Sequence, residues 1–194
     1  MARLTVLTPE QLPNELRERA GLDDSTQLGS LGVWALRPRI ASALLELKSV
    51  LGSQSLPPRL SELVRLRVAF HNQCRSCMAL RSAEAIDDGL TEALVCELRH
   101  PEESDDLTER ERAALEYADK LSIAHHDIDD ALFARLGEHF TEEEIVELGA
   151  HIAFCIGFGR VAMSWDLVDD LPDGLREAGV VGPWDAAESV VRPR

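Results

Sequence analysis

The amino-acid sequence predicts an all-α fold in a single domain. Apolar residues recur at intervals of three and four along most of the chain, which is the period of helices that bury one face. Strand signals are nearly absent, because the Val-Val pairs at 180–181 and 190–191 are short and have Gly or Pro within two residues. A chain of 194 residues, 45% of them apolar, is long enough to bury one core. We therefore expect one helical bundle.

Helix boundaries in the first half follow from caps and breakers. The Thr-Pro pair at 8–9 is typical of a helix start, whereas 21–32 are rich in Gly, Ser and Asp and predict a loop. The helices predicted next run from Pro38 to a Gly-Ser break at 52–55, from Pro57-Pro58 to about Phe70, from about Gln73 to Asp87, and from Thr91 to about Leu98.

Three more helices are predicted in the second half. The segments 108–111 and 141–144 both have the Thr-x-x-Glu pattern of a capping box. Between them, Asp129 or Asp130 is suited to cap a helix that carries Leu132 and Leu136 on its apolar face. The segment that begins at the second capping box is the longest helix predicted for this chain.

The chain divides into three predicted parts. We expect an N-terminal extension over 1–35, a helical domain over 36–170 with a CxxC core at 57–99, and a C-terminal arm over 171–194. Gly and Pro are frequent in the arm, which predicts irregular structure that packs on a partner through Trp184.

The formal net charge is −15, and the excess acid lies in the later part of the chain. Residues 1–70 contain 9 Lys/Arg and 7 Asp/Glu, whereas 71–194 contain 11 and 28. Such a charge argues against nucleic acid and anionic membranes as partners. No apolar run approaches the roughly 20 residues that span a bilayer, and the N-terminus lacks the apolar region of a signal peptide, so a cytoplasmic location is expected.

Cys74 and Cys77 form the most distinctive chemical motif. With Asn72 as the predicted N-cap, Cys74 falls in the first turn of a helix, where the dipole stabilises a thiolate, and Cys77 follows one turn later on the same face. The spacing favours a dithiol/disulfide pair over two incidental thiols or half a zinc site, so neither metal nor cofactor is expected. Cys96 and Cys155 lie on apolar stripes and are expected to be buried.

Glu62 is a candidate general base upstream of the pair. It shares a helical stripe with Leu66 and Ala69, which is a half-buried position. Burial raises the pKa of a carboxyl group, as a base working near neutral pH requires. The alternative is a surface Glu62 paired with Arg65 or Arg59.

The run from Glu62 through Cys74 and Cys77 to Gly89 resembles the carboxymuconolactone decarboxylase and alkylhydroperoxidase-D-like (AhpD-like) family. In that family eleven residues separate a Glu from the CxxC, and Glu62 and Cys74 have this gap. The clear resemblance covers 57–99. It implies an AhpD-like helical bundle that assembles as a homo-oligomer, whether dimer, trimer or hexamer.

The resemblance also implies a thiol-dependent hydroperoxide reductase. Cys77 would be the peroxidatic cysteine, Cys74 its resolving partner, and Glu62 part of a proton relay. The substrate would be a hydroperoxide, and an external dithiol reductant of lipoyl or thioredoxin type would reopen the disulfide. The helix dipole alone favours Cys74 as the more acidic thiol, so the order of the two stays open here.

The chain departs from the family pattern at the relay histidine, which is replaced by Arg81, and Ser76 stands between the cysteines. The fixed charge of Arg81, predicted on the Cys77 stripe, would lower a thiol pKa. His71 is expected either to replace the relay histidine or to lie at the surface. His151 is expected either to be a core histidine or to reach the site from a later helix. Arg160 resembles a family Arg with a structural role.

Two other functions stay open from the sequence. A lyase of the carboxymuconolactone decarboxylase type would use Arg75, Arg81 and Arg160 to bind the carboxylates of a lactone, but it gives the CxxC pair no purpose. A non-catalytic redox sensor or interaction protein would use the disulfide to tune its assembly, with the acidic second half facing a basic partner.

Overall fold

A computed structural model describes residues 2–22, 28–52, 55–169, 171 and 192–193. In these ranges the elements are α1 (Asn14–Ala20), α2 (Ser30–Trp34), α3 (Pro38–Gly52), α4 (Pro58–His71), α5 (Arg75–Met78), β1 (Leu80–Arg81), α6 (Ala83–Asp87), α7 (Glu92–Glu97), α8 (Glu109–Ile123), α9 (Asp130–His139), α10 (Glu142–Ser164) and β2 (Arg192–Pro193). Short 3-10 turns lie at Pro9–Gln11, Pro101–Glu103 and His125–Asp127. The predicted helical fold is confirmed for the part of the chain described.

Most predicted helix starts are confirmed by their caps. Thr108 and Thr141 form complete capping boxes at the starts of α8 and α10. The Asp129 carboxylate accepts a hydrogen bond from the backbone N–H of Leu132 at 2.9 Å and caps α9. Each such cap contributes about 1 kcal/mol to helix stability.

The prediction of one helix over 73–87 is wrong. The segment forms α5, β1 and α6 instead, and Gln73 has a left-handed backbone with φ of 51°. Asn72 therefore ends α4 rather than capping a new helix, and Cys74 is the N-cap of α5.

Two buried guanidinium groups explain why this segment does not stay helical. Arg65 donates hydrogen bonds to the carbonyls of Cys77 (2.7 Å) and Leu80 (2.8 Å), and Arg81 donates to the carbonyl of Met78 at 2.5 Å. In a continuous helix, backbone N–H groups four residues further on would bind these carbonyls. Side chains satisfy them here, so the backbone is able to turn into β1.

Helix α4 lies at the centre of the main core. It packs on α8 and α10 and more narrowly on α5 and α6. Its buried residues occur on several faces: Leu60, Leu63, Val64, Leu66, Val68, Ala69 and Phe70. The facing side chains include Leu115 on α8 and Ile152 on α10. Burying each leucine contributes about 1.5–3 kcal/mol, so this contact holds the cysteine segment against a rigid base.

The N-terminal helices form a second, smaller cluster. Its buried residues are Leu12, Leu16, Ala35 and Ala41, and Leu45 packs against them while half-buried. The division of the chain at residue 35 stays a prediction. Of the predicted arm, β2 pairs in parallel with β1, whereas Trp184 and the two Val-Val pairs lie outside the described residues.

Helix α10 contradicts the expectation that no apolar segment approaches the length of a membrane span. The helix is long and apolar enough to cross a membrane, by length and composition only, and 17% of its most apolar 18-residue stretch is buried. Core helices of soluble proteins, which are mostly buried, reach the same length and apolar composition. Here Leu148 and Ile152 pack into the main core, whereas Val146, Val161 and Met163 are exposed.

Candidate functional site

Cys74 and Cys77 are joined by a disulfide, with their Cα atoms 5.2 Å apart. This confirms that the two sulfurs reach each other. Cys74 is completely buried, whereas Cys77 is partly exposed and lines a cavity of about 990 Å³. A molecule in this cavity therefore meets Cys77 first.

The surroundings of Cys74 favour a negative charge on its sulfur. As N-cap of α5, its Sγ accepts a hydrogen bond from the backbone N–H of Cys77 at 3.3 Å. The hydroxyl of Ser76 lies 3.5 Å from the same sulfur. Both donors would stabilise a thiolate released at Cys74, which makes it the better leaving group when the disulfide is attacked at Cys77.

Glu62 is buried, and it pairs with Arg65. The guanidinium donates to both carboxylate oxygens at 2.7 and 2.8 Å, and the backbone N–H of Ser82 donates to one of them at 2.8 Å. Burial by itself would lower the pKa of Arg65, but the charge and hydrogen bonds of Glu62 outweigh it and the pKa is raised. The pair ties α4 to the cysteine segment, since Arg65 also holds the carbonyl of Cys77.

Arg81 does not share a helical stripe with Cys77, because it lies in β1. It is 1% exposed, and its guanidinium donates to both carboxylate oxygens of Glu92 at 2.9 and 3.1 Å. It also donates to the carbonyls of Met78 and Leu80. At the position of the family's relay histidine, this chain therefore has a side chain engaged in structural contacts.

His71 lies against α8. Its Nε2–H donates to Asp119 at 2.6 Å, and Arg67 donates to both oxygens of the same carboxylate at 2.6 and 2.9 Å. Burial alone would raise the pKa of Asp119, but the hydrogen bonds from His71 and Arg67 outweigh it and hold the pKa below its ordinary value. The cluster links the end of α4 to α8.

His151 lies beside Cys155 on α10. The Nε2–H of His151 donates to the carbonyl of Ser61 at 3.0 Å, and the sulfur of Cys155 is 3.9 Å from the same nitrogen. Cys155 is partly exposed and lines the same cavity as Cys77, a placement that sequence reasoning missed. Its spacing of four from His151 was the available signal. The prediction that Cys96 is buried is wrong, because it is exposed.

Asn72 joins the cysteine segment to α10. Its side-chain amide donates to the carbonyl of Cys155 at 3.0 Å and accepts from Arg160 at 2.9 Å. A Cβ on Gly159 would lie 2.7 Å from the Asn72 amide nitrogen, so only glycine permits this approach. Arg160 therefore has hydrogen-bonding contacts here, and Arg75 forms an ion pair with Asp166 at 2.7 Å.

The cavity at Cys77 has apolar walls. Trp34, Phe154 and Phe158 line it, together with aliphatic residues of α3. Its volume lies at the upper end of the range for small-molecule sites, about 300–1,000 Å³. The polar and charged side chains in the lining include Ser30, Lys48, Arg65, Asn72, Ser76 and Asp169.

These features define a helical protein with a CxxC disulfide at a ligand-sized cavity, in which Cys74 is buried and Cys77 is partly exposed. Residues 38–120 match the sequence profile of the carboxymuconolactone decarboxylase family, which confirms the resemblance and places this segment in that family. An uncharacterized protein of Mycobacterium tuberculosis is 41% identical over 104 residues, which are 53% of this chain and 36% of the relative. The chain thus spans about a third of that relative's length.

Solved structures share the fold. A protein of unknown function from Agrobacterium tumefaciens has 29% identity and a TM-score of 0.61, over 69% of this chain and 92% of that one. An uncharacterized peroxidase-related protein from Ralstonia eutropha, described as an alkylhydroperoxidase AhpD core, has a TM-score of 0.74 at 24% identity, over 86% and 90% of the two chains. The structural neighbours are AhpD-like.

Proposed function

We propose that the protein is a thiol-dependent hydroperoxide reductase that cycles the Cys74–Cys77 pair. The observation that carries the proposal is the asymmetry of the disulfide: Cys77 lines a large apolar cavity, while Cys74 is buried beside two hydrogen-bond donors. Such an arrangement gives the two sulfurs different tasks, with Cys77 meeting the peroxide and Cys74 acting as resolving partner and leaving group.

The oxidative half begins with the dithiol. The Cys77 thiolate attacks the distal oxygen of the hydroperoxide, the O–O bond breaks, and the alkoxide takes a proton and leaves as an alcohol. Cys77 is then a sulfenic acid. The sulfur of Cys74 attacks it, water leaves, and the disulfide forms. The resemblance assigns the proton relay to Glu62. In the structure Glu62 also forms an ion pair with Arg65, which holds the cysteine segment in place.

The reductive half uses an external dithiol of lipoyl or thioredoxin type. One donor thiolate attacks Cys77, and Cys74 leaves as a thiolate stabilised by the Cys77 N–H and the Ser76 hydroxyl. The second donor thiol attacks the mixed disulfide and releases Cys77, so the donor leaves oxidised. Because this cycle needs a reducing compartment, we propose a cytosolic location.

Consumption of tert-butyl hydroperoxide with excess dithiothreitol or dihydrolipoamide tests the proposal. We expect Cys77→Ser to abolish turnover. With the dithiol donor omitted, Cys74→Ser should stop after one turnover with a sulfenic acid at Cys77, which mass spectrometry of the dimedone adduct detects. Cys96→Ser is the matched control, because Cys96 is exposed and does not line the cavity. A Cys77→Ser variant with the wild-type rate would refute the reductase.

Self-association is a further part of the proposal. Val146, Val161 and Met163 leave exposed apolar surface on α10, which suits packing against a second copy of the chain. Light scattering of reduced and oxidised samples measures the assembly. A size that changes with redox state in a protein without turnover would favour the sensor function instead.

The lyase has less support. Its three candidate cations, Arg75, Arg81 and Arg160, are engaged with Asp166, Glu92 and Asn72, and none of the three lines the cavity at Cys77.

A further inference from the structure

Three aromatic side chains form one wall of the cavity at Cys77. Trp34 meets Phe158 edge-to-face, with ring centroids 5.7 Å apart and an interplanar angle of 74°, and the Phe154 and Phe158 centroids are 4.9 Å apart. All three residues lie outside the segment 38–120 that matches the family profile. The family segment thus supplies the disulfide, and flanking segments supply this aromatic wall.

The charged side chains in the rest of the lining are Arg65, Lys48 and Asp169. Leu31, Leu44, Leu45 and Leu80 extend the apolar lining. The guanidinium of Arg65 is already bound to Glu62 and to the carbonyls of Cys77 and Leu80. Beside Cys77 an uncharged group therefore fits better than an anion, because Arg65 is already paired with Glu62 and an anion there would lose its hydration.

The volume of the cavity also exceeds what a small peroxide needs. About 990 Å³ is enough for a drug-sized ligand, whereas hydrogen peroxide or a short alkyl hydroperoxide would fill only a small part. A ring on the substrate would fill this space and make edge-to-face contacts with the aromatic wall.

We infer that the cavity binds an uncharged, ring-bearing substrate, with its aromatic group against Trp34, Phe154 and Phe158 and its reactive oxygen at Cys77. Trp34 is then a specificity-determining residue supplied by α2. The inference deepens the hydroperoxide reductase proposed above and rests on it for the reaction, while binding of the ring stands on the cavity alone.

Two peroxides with the same tertiary centre test this inference. Cumene hydroperoxide carries a phenyl group where tert-butyl hydroperoxide carries a methyl group. We expect the wild type to prefer the aryl substrate by about tenfold or more in kcat/KM, since aromatic contacts of this kind contribute on that scale. Trp34→Leu should reduce the ratio about tenfold, and Trp34→Phe should keep most of it.

Phe133→Leu is the matched control, because Phe133 is an exposed aromatic residue that does not line the cavity. It should leave both rates unchanged. A wild type without preference, or a ratio that Trp34→Leu does not move in a folded protein, would overturn the inference while leaving the reductase intact.

Failure of the reductase itself is distinguished by a binding measurement. If neither peroxide is consumed, the proposed function fails, and the ring site is tested with 2-phenyl-2-propanol against tert-butanol by saturation-transfer NMR. Selective binding of the aryl alcohol that Trp34→Leu weakens would support the ring site. Equal or undetectable binding of the two alcohols would overturn it.

Discussion

The core around α4 and the N-terminal segment around α3 differ in how they use apolar residues. Helix α4 buries eight of its 14 residues, including the carboxylate of Glu62. Helix α3 buries only Ala41 among 15 residues and leaves Ile40, Leu47 and Val50 exposed. Both regions meet the cavity at Cys77, one through Arg65 and the other through Leu44 and Leu45.

The difference separates two tasks. The side chains that fix the backbone at Cys77, chiefly Arg65 and Arg81, belong to the tightly packed part of the molecule. The side chains that shape access, such as Trp34 and Leu45, belong to a segment with few buried residues. Substrate preference should therefore be easier to alter by mutation than the geometry of the disulfide.

Ion pairs should show the largest contrast between the regions. Glu62→Gln leaves the buried charge of Arg65 without its partner, so we expect a loss of about 3–5 kcal/mol in the free energy of unfolding. Glu46→Gln breaks the pair with Arg19 in the N-terminal segment, where Glu46 is 68% exposed, and should cost less than about 1 kcal/mol. Urea unfolding measures both.

Equal losses for the two variants would show that burial does not separate the two regions. The activity of Glu62→Gln adds a second result. If the rate falls at every pH and the shape of the pH–rate profile is unchanged, Glu62 acts only by holding Arg65 in place. If the decline of the rate at low pH disappears, the result supports Glu62 in the proton relay.

Leucine truncations should give the next largest contrast. Leu66→Ala removes a completely buried side chain of α4, and we expect a loss of about 2–5 kcal/mol. Leu45→Ala removes a half-buried side chain of α3 and should cost less than Leu66→Ala because water reaches the site. Thermal unfolding followed by circular dichroism measures the difference. A larger loss for Leu45→Ala would reverse the proposed order of the two regions.

A smaller effect is expected at low pH, again on the core side. The pKa of Asp119 is lower in the folded protein than its ordinary value, so Asp119 contributes stability above the unfolded pKa, near 4. That contribution is lost as the pH falls through the lower, folded pKa. Urea midpoints between pH 7 and 3 should fall for the wild type and fall less steeply for Asp119→Asn. If the urea midpoint of Asp119→Asn falls with pH as steeply as that of the wild type, Asp119 does not contribute to the acid sensitivity.

Local signals in the sequence were sufficient for much of the fold. Thr108 and Thr141 start their helices as predicted, because a cap depends only on residues within one turn. The meeting of Cys74 and Cys77 also followed from a spacing of three. The resemblance to the family is confirmed for 38–120.

Contacts between distant residues account for what was missed. The helix expected over 73–87 ends early because Arg65 binds carbonyls 12 and 15 residues away, which no local pattern encodes. Asn72 looked like a cap, but it binds α10, more than 80 residues later. Trp34 follows a segment predicted as a loop and gave no periodic signal, so its place in the cavity depends on tertiary packing.

The contacts of Arg65 also bear on what happens when the disulfide opens. Its hydrogen bonds to the carbonyls of Cys77 and Leu80 involve no sulfur atom, so they are available in the oxidised and the reduced protein alike. We therefore expect reduction to release side-chain torsions while the main chain at the cavity wall stays in place. Such a pair would suit the repeated turnover proposed above, whereas a signalling device would need the backbone to respond to each change of redox state.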